Sequence, residues 1–274
     1  MNANVDSQLE SQLRVIASDV RIKVLNMTHI AGTSHVGSCL SCVEILTAAF
    51  YIQKFDSQVD IQSIILSKGH AAAALYASLS EFGILKDEDL KRFCEDGSKL
   101  YGHVNHHASD AIPVSTGSLG HGIPFGLGLA IANKMLGNNK KVLVVISDGE
   151  CNEGTTWESA LIANHHRISN LIVIIDRNRI QSMGFTEEIL AIDPLKEKWE
   201  AFGWQTLEIS GNDANEIVKA IKKQSKKPLC IIANTIKGFG VNFMENSIEW
   251  HYRSPNSTEL KEALSQIDKG LVDV

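Results

Sequence analysis

The sequence predicts an α/β fold, doubly wound, with a mostly parallel sheet and helices on both faces. Three observations carry that expectation. Residues 141–147 (KVLVVIS) and 170–176 (NLIVIID) are continuous apolar runs rich in β-branched residues, the pattern of strands buried on both faces. A helical stretch from Glu153 or Gly154 to Arg167 joins them, so they form a βαβ unit of parallel strands with a right-handed crossover. The alternation continues through a strand over 203–210, a helix over 214–225 and a strand over 229–235.

In chain order, Leu9, Leu13, Ile16, Val20, Val24 and Met27 recur at steps of three and four, which predicts an N-terminal helix stopping near Ala31-Gly32. Residues 41–55 are apolar almost all round and predict a buried helix. A short strand over 63–66 runs into Ser67-Lys68-Gly69-His70 and an Ala-rich helix over 71–82. Residues 87–95 read as a charged surface helix. Residues 101–118 hold His103, His106 and His107 with little periodicity, and a loop that long in a compact domain points to function. Residues 126–136 predict a small-residue helix able to pack closely on a sheet. The basic run 219–227 reads as the solvated face and C-terminal end of its helix. Residues 258–267 predict a final amphipathic helix capped by Ser257 or Thr258.

The 274 residues carry 26 Lys and Arg against 32 Asp and Glu, a formal charge of −6. That balance argues against a dedicated nucleic-acid or anionic-membrane binder. Apolar residues at 44% and charged residues at 21% fit a globular chain that needs no disulfide or metal staple. The longest apolar runs are strand-sized, far short of the ~18 residues of a membrane span. Residues 1–10 are polar, without the apolar core of a secretory leader, so the expected location is cytoplasmic with reduced thiols. Cys39 and Cys42 have redox spacing but follow no thioredoxin-like strand, and read as two buried small hydrophobes.

In an open α/β sheet, ligands bind beyond the carboxyl ends of the strands. Two strand ends here carry hard oxygens: Ser147-Asp148-Gly149-Glu150 and Asp176-Arg177-Asn178. If these strands are neighbours, the Asp148 carboxylate and the Asn178 amide oxygen project toward one point. Such oxygens suit Mg²⁺, which takes few protein ligands plus substrate phosphates. Gly149 lets backbone approach a phosphate, and the helix start that follows favours an anion. The glycines after Asp148 are wrongly placed for an EF-hand, and no H-E-x-x-H or Cys/His cluster supports zinc. The run 120–126 is one residue too long for a nicotinamide fingerprint and follows no strand.

Asp148 and Asn178, thirty positions apart, resemble the thiamine-diphosphate motif of G-D-G followed by N. Other segments align in order. Thr33-Ser34-His35-Val36-Gly37 resembles the S-G-H-P-G of transketolases, and Leu66-Ser67-Lys68-Gly69-His70 their L-S-x-G-H. Gly102-His103 is similar to P-G-H-P, residues 117–122 to G-P-L-G-Q-G, and residues 235–240 with Trp250-His251 to K-T-x-x-G-x-G and W-H-G. The resemblance covers residues 10–255 and implies a single thiamine-diphosphate-binding domain over 1–274. The pyrimidine and C-terminal domains are then expected on a partner chain, as in split transketolases, with a dimer of heterodimers as the assembly.

The resemblance also implies roles. Asp148, Asn178 and the Ile180 carbonyl are expected to hold Mg²⁺, with Ca²⁺ or Mn²⁺ as substitutes. His70, Gly117, Ser118, Leu119, Gly149, Glu150 and His251 are expected around thiamine diphosphate, together with the metal ligands. His35 and His103, with His70 and His251, are expected as catalytic groups facing a sugar or sugar phosphate, near their ordinary pKa of about 6.5. His106, His107, His165 and His166 are expected on the surface, and His29 as a structural donor. Ser147, Val36, Ser118 and His121 depart from the family's Gly, Pro, Pro and Gln, and Arg179 beside the metal loop has no evident role. The implied activity is two-carbon ketol transfer, with this chain as the N-terminal subunit of the enzyme. Two alternatives remain: part of a 2-oxoacid dehydrogenase or carboligase, and a non-catalytic cofactor-binding module.

Overall fold

The computed structural model describes residues 3–138 and 140–272. Its elements are α1 (Ala3–Ala31), α2 (Val36–Ser41), α3 (Val43–Phe55), β1 (Val59–Leu66), α4 (Ala72–Glu81), the single turn α5 (Asp87–Leu90) and α6 (Gly122–Met135). There follow β2 (Lys141–Ser147), α7 (Gly154–His165), β3 (Leu171–Arg177), the turn α8 (Thr186–Ile189) and α9 (Leu195–Ala201). Then come β4 (Gln205–Ser210), α10 (Ala214–Lys222), β5 (Leu229–Asn234) and α11 (Ser257–Val272).

The five strands lie in the order β1-β2-β3-β5-β4, every pair parallel. Because parallel crossovers are right-handed, steps in one direction along the sheet put their helices on one face and a reversed step uses the other. The chain steps β1→β2→β3→β4 with α6, α7 and α9 on one face, then reverses β4→β5 with α10 on the opposite face, beside α1, α3, α4 and α11. Strand residues alternate between two cores. Leu143, Val145, Ile172, Ile174 and Ile231 face α1, α3 and α10, whereas Val144, Ile146, Val173, Ile175 and Ile232 face α6, α7 and α9. The doubly wound expectation is what the chain adopts.

Several boundaries differ for local reasons. The helix expected over 41–55 is α3, which starts two residues later because Cys42 leaves helical geometry at φ −107°, ψ 12°, and a further short helix, α2, precedes it. Strand β1 starts four residues before the expected 63, because exposed Asp60 and Gln62 interrupt its apolar pattern. The charged helix over 87–95 is one turn only, and Cys94, at φ +59°, turns its N–H to Leu100 O. Helix α6 starts at Gly122, earlier than expected: Pro124 sits in the first turn, where its missing N–H costs nothing. Gly126 is required there, since a Cβ would meet Val144 Cγ2 at 2.4 Å. The cap of α11 is Asn256, whose Oδ1 accepts from Thr258 N and Glu259 N, rather than Ser257 or Thr258. Helices α8 and α9 are too short to have shown a period. Cys39 and Cys42 are fully buried, and burial raises the Cys39 thiol to about 11.

Candidate functional site

The carboxyl ends of β1, β2 and β3 open onto a cleft of about 240 Å³. Strand neighbours set its floor. Ser147 pairs with Asp176 across β2 and β3, so the residues just beyond them, Asp148 and Asn178, emerge side by side. Both line the cleft with Ser147, Gly149, Ile180, Gln181 and Ser182. The opposite side carries His35, Ser38, His70, His103, Gly117, Leu119 and His251.

The first wall is built of buried charge. Asp148 is 1% exposed. Its Oδ2 accepts from Arg177 Nη1 at 3.2 Å, Arg179 N at 2.8 Å and Thr186 Oγ1 at 3.3 Å, while Oδ1 accepts only from Gly149 N. Burial pushes this carboxyl up, and the Arg177 guanidinium opposes that shift. Arg177, 2% exposed at the end of β3, is shared with Glu187 and Asp193. Asn178 donates through Nδ2 to Ser41 Oγ and Asp176 Oδ2, and its Oδ1 accepts from Ile180 N. The Ile180 carbonyl accepts from Lys237 Nζ at 3.0 Å.

A carboxylate oxygen, an amide oxygen and a carbonyl, each with one donor and a lone pair to spare, form an all-oxygen set suited to a hard divalent cation. Among the described residues no three His, Cys, Asp or Glu side chains converge as a softer metal site. The residues present therefore fit Mg²⁺ better than zinc.

The second wall is aromatic. His35 lies 5.5 Å from His70, 5.6 Å from His103 and 5.1 Å from His251 between ring centroids. His35 is presented by a left-handed backbone, φ +75°, with its N–H bound to His251 O. Burial lowers His35 to about 4 and His251 to about 3, with neighbouring positive groups adding to the shift, and burial drives His70 well below its usual value. The ordinary imidazole pKa expected from sequence is therefore corrected for these three. They are neutral hydrogen-bonding groups at pH 7. His251 Nδ1 lies 2.8 Å from Lys237 Nζ; when the lysine is protonated it donates to Nδ1, and the ring's own proton then sits on Nε2.

Gly117 leaves room for the His103 ring: a Cβ there would come within 3.1 Å of His103 Cδ2.

Two expected cofactor contacts do not face the cleft. Glu150 is fully buried and turned inward, its oxygens taken by Ser67 Oγ, Gly120 N and Ser147 N, so it ties the glycine turn to the end of β2. Ser118 is exposed and outside the lining. His121 is exposed too, with Nδ1 against Leu119 O. Arg179 contributes its backbone: at φ +65° its N–H reaches Asp148, while the side chain lies exposed near Asn234. His106, His107, His165 and His166 are exposed, and His29 Nδ1 donates to Pro255 O.

Sequence reasoning missed Ser38, Gln181, Ser182 and two lysines. Lys237, 1% exposed, is lowered to about 7 by burial and then by Lys68. Lys68, fully buried, stays above the usual lysine range because Asp176 outweighs its burial. Both sit inside motif segments, Ser67-Lys68-Gly69 and Ile236-Lys237-Gly238, and a lysine framed by glycine and strand-end residues is the signal that could have found them.

The thiamine diphosphate binding domain of transketolase matches residues 12–267. A subunit of the apulose-4-phosphate transketolase of Actinobacillus succinogenes is 40% identical over 95% of this chain and 96% of its own length. The 6-deoxy-6-sulfo-D-fructose transketolase subunit SqwG of Clostridium sp. is 34% identical over 96% of this chain and 98% of its own length. The crystal structure of transketolase from Campylobacter jejuni superposes with a TM-score of 0.85 at 29% identity, covering 98% of this chain but 43% of that one. The chain thus spans less than half of a full-length transketolase. A match running across nearly the whole sequence, with relatives that align end to end, shows that the chain belongs to the transketolase family, as its thiamine diphosphate binding domain.

Proposed function

We propose that the cleft binds thiamine diphosphate through a divalent cation, Mg²⁺ or in its place Ca²⁺ or Mn²⁺, held by Asp148, Asn178 and the Ile180 carbonyl. The chain then acts as the N-terminal subunit of a split transketolase, moving a two-carbon ketol unit from a ketose to an aldose. The observation that carries this reading is the placement of three hard oxygens from two adjacent strand ends opposite four clustered imidazoles. Bound thiamine diphosphate supplies a carbon nucleophile for ketose carbonyls. The chain's own residues do the rest. Lys237 brings positive charge to the cofactor side, and His251, fixed by it, presents Nε2–H. His35, His70 and His103 offer ring nitrogens that orient sugar hydroxyls and pass a proton at the substrate oxygen.

The relatives' names supply the finer reading. Two are called subunits, so a partner is proposed that carries the pyrimidine domain, in a dimer of heterodimers within the cytoplasm. Their substrates, a ketose phosphate and a sulfonated ketose, support a sugar with an anionic far end. The test is co-expression with the partner subunit, followed by a panel of ketose donors with an aldose acceptor. Ketol transfer is expected only from the pair. Turnover by the chain alone, or by the pair with pyruvate and no ketose, would overturn the assignment.

A further inference from the structure

Asp176 is buried completely and does not itself line the cleft, and yet its carboxylate collects four donors, from Ser41, Lys68, Asn178 and Thr235. Its Oδ2 accepts from Lys68 Nζ, from Ser41 Oγ at 2.6 Å and from Asn178 Nδ2 at 3.3 Å, and its Oδ1 accepts from Thr235 Oγ1. Lys68 is held in turn by Ser38 O at 3.0 Å. A fully buried ion pair is costly to assemble and is weak evidence for stability. What it does here is present an acceptor-only carboxylate to the amide of Asn178. An asparagine amide has an oxygen end and a nitrogen end of nearly equal size, and only the oxygen can ligate a hard cation. With Asp176 Oδ2 and Ser41 Oγ on one side, Nδ2 must face them and Oδ1 must face away.

We infer that Asp176 is a positioning residue, which fixes the amide of Asn178 so that its oxygen is offered to the cation. The inference rests on the proposed metal role of Asn178 and names what enforces it. Partners of this kind are worth about 10–100-fold in metal affinity when removed.

The experiment titrates Mn²⁺, followed by electron paramagnetic resonance, into the full chain with its partner subunit, thiamine diphosphate being held constant. Thermal melting runs alongside. Asp176→Asn is expected to weaken Mn²⁺ binding about 10–100-fold, with turnover at saturating metal changing far less. Exchanging the pair, Asp176→Asn with Asn178→Asp, restores a donor facing an acceptor and is expected to recover most of that loss. Thr235→Val removes the partner on the Oδ1 side and is expected to lower the melting temperature while Mn²⁺ affinity holds. Unchanged affinity in folded Asp176→Asn, or no recovery on exchange, overturns the inference. Should Asp176→Asn fail to fold, Ser41→Ala decides: it is expected to weaken Mn²⁺ binding where Thr235→Val does not, and equal effects overturn the inference. Asn178→Ala separates the two readings. If that variant binds Mn²⁺ normally, the metal assignment itself fails, whereas weak binding there with normal binding in Asp176→Asn sinks only the role of Asp176.

Discussion

The two walls of the cleft solve the same problem, holding polar groups in place, by opposite means. On the strand-end side, Asp148 lines the cleft and Asp176, Arg177 and Lys68 lie outside its lining; all four are charged, at most 2% exposed, and tied to one another and to the backbone. On the facing wall, His35, His70 and His251 are uncharged, sit on a helix start and on turns, and touch mainly as rings. The difference separates binding from chemistry. Under the proposed function, fixed charge would grip a cation and its anionic ligand, and neutral imidazoles would give and take a proton without a standing charge to dehydrate.

The largest expected effect tests the gripping wall. Asp148→Ala removes the carboxylate but leaves Arg177 with Glu187 and Asp193, so the fold is expected to survive. Cofactor affinity in the presence of Mg²⁺ should fall by at least about 100-fold, the upper end of what an outer-shell partner alone commands. Calorimetric titration of the assembled pair of subunits measures it. A comparable loss from a change on the imidazole wall would erase the contrast. His35→Asn is the matched change there, since asparagine tolerates the left-handed backbone that His35 adopts. Turnover is expected to drop about 100-fold, in the range of general acid–base effects, while cofactor affinity stays within about threefold.

How much of each wall could be read from sequence follows from the same contrast. Asp148 and Asn178 were legible because two apolar strands in parallel register put their first polar successors together, and register is a strong constraint. The histidines were legible only through motif resemblance, since residues 33–38 and 101–118 have no period that places them. Lys68 and Lys237 were not read at all. Lysine is ordinarily a surface residue, and what buries these two is contact with Asp176, Ile180 O and His251, partners brought together by β1, β3 and β5 from distant parts of the chain. Glu150 was misread for the mirror reason: the carboxylate that follows Asp148-Gly149 looks like cofactor chemistry, but the turn after β2 rotates it inward to Ser67. The fold itself was legible wherever an element was long and buried, and failed over 186–201 and at the first half of β1, where elements are short or half-exposed.

A smaller effect distinguishes the walls by pH. The unfolded chain protonates its histidines near 6.5, but in the folded chain His35 takes a proton only near 4 and His251 only near 3. Between those values the unfolded state binds more protons, so stability is complete above about 6.5 and falls as pH drops toward 4. The melting temperature should therefore decline between pH 7 and pH 5, and the decline should shrink in a His35→Asn, His251→Asn double variant. A slope that persists undiminished would place the titrating groups elsewhere.

The smallest expected effect concerns Arg179, which follows Asn178 in the loop after β3 and contributes through its backbone. Its guanidinium is exposed, 3.3 Å from Asn234 Oδ1 and 3.9 Å from Asp193, contacts worth about 0–1 kcal/mol at a surface. Its N–H, by contrast, is one of three donors on Asp148 Oδ2, and that N–H points correctly only because φ is +65°. Glycine adopts such a backbone without the penalty an L side chain incurs, roughly 1–2 kcal/mol, and loses about as much again in the greater freedom of its unfolded chain. Arg179→Gly should consequently leave both stability and cofactor affinity within about twofold, and Arg179→Ala should do the same. Arg179→Pro deletes the N–H and forbids positive φ, so it should reproduce much of the binding loss of Asp148→Ala. If the alanine and glycine variants lost affinity while proline added nothing further, the side chain rather than the backbone would be the working part, and the strand-end wall would extend to the surface.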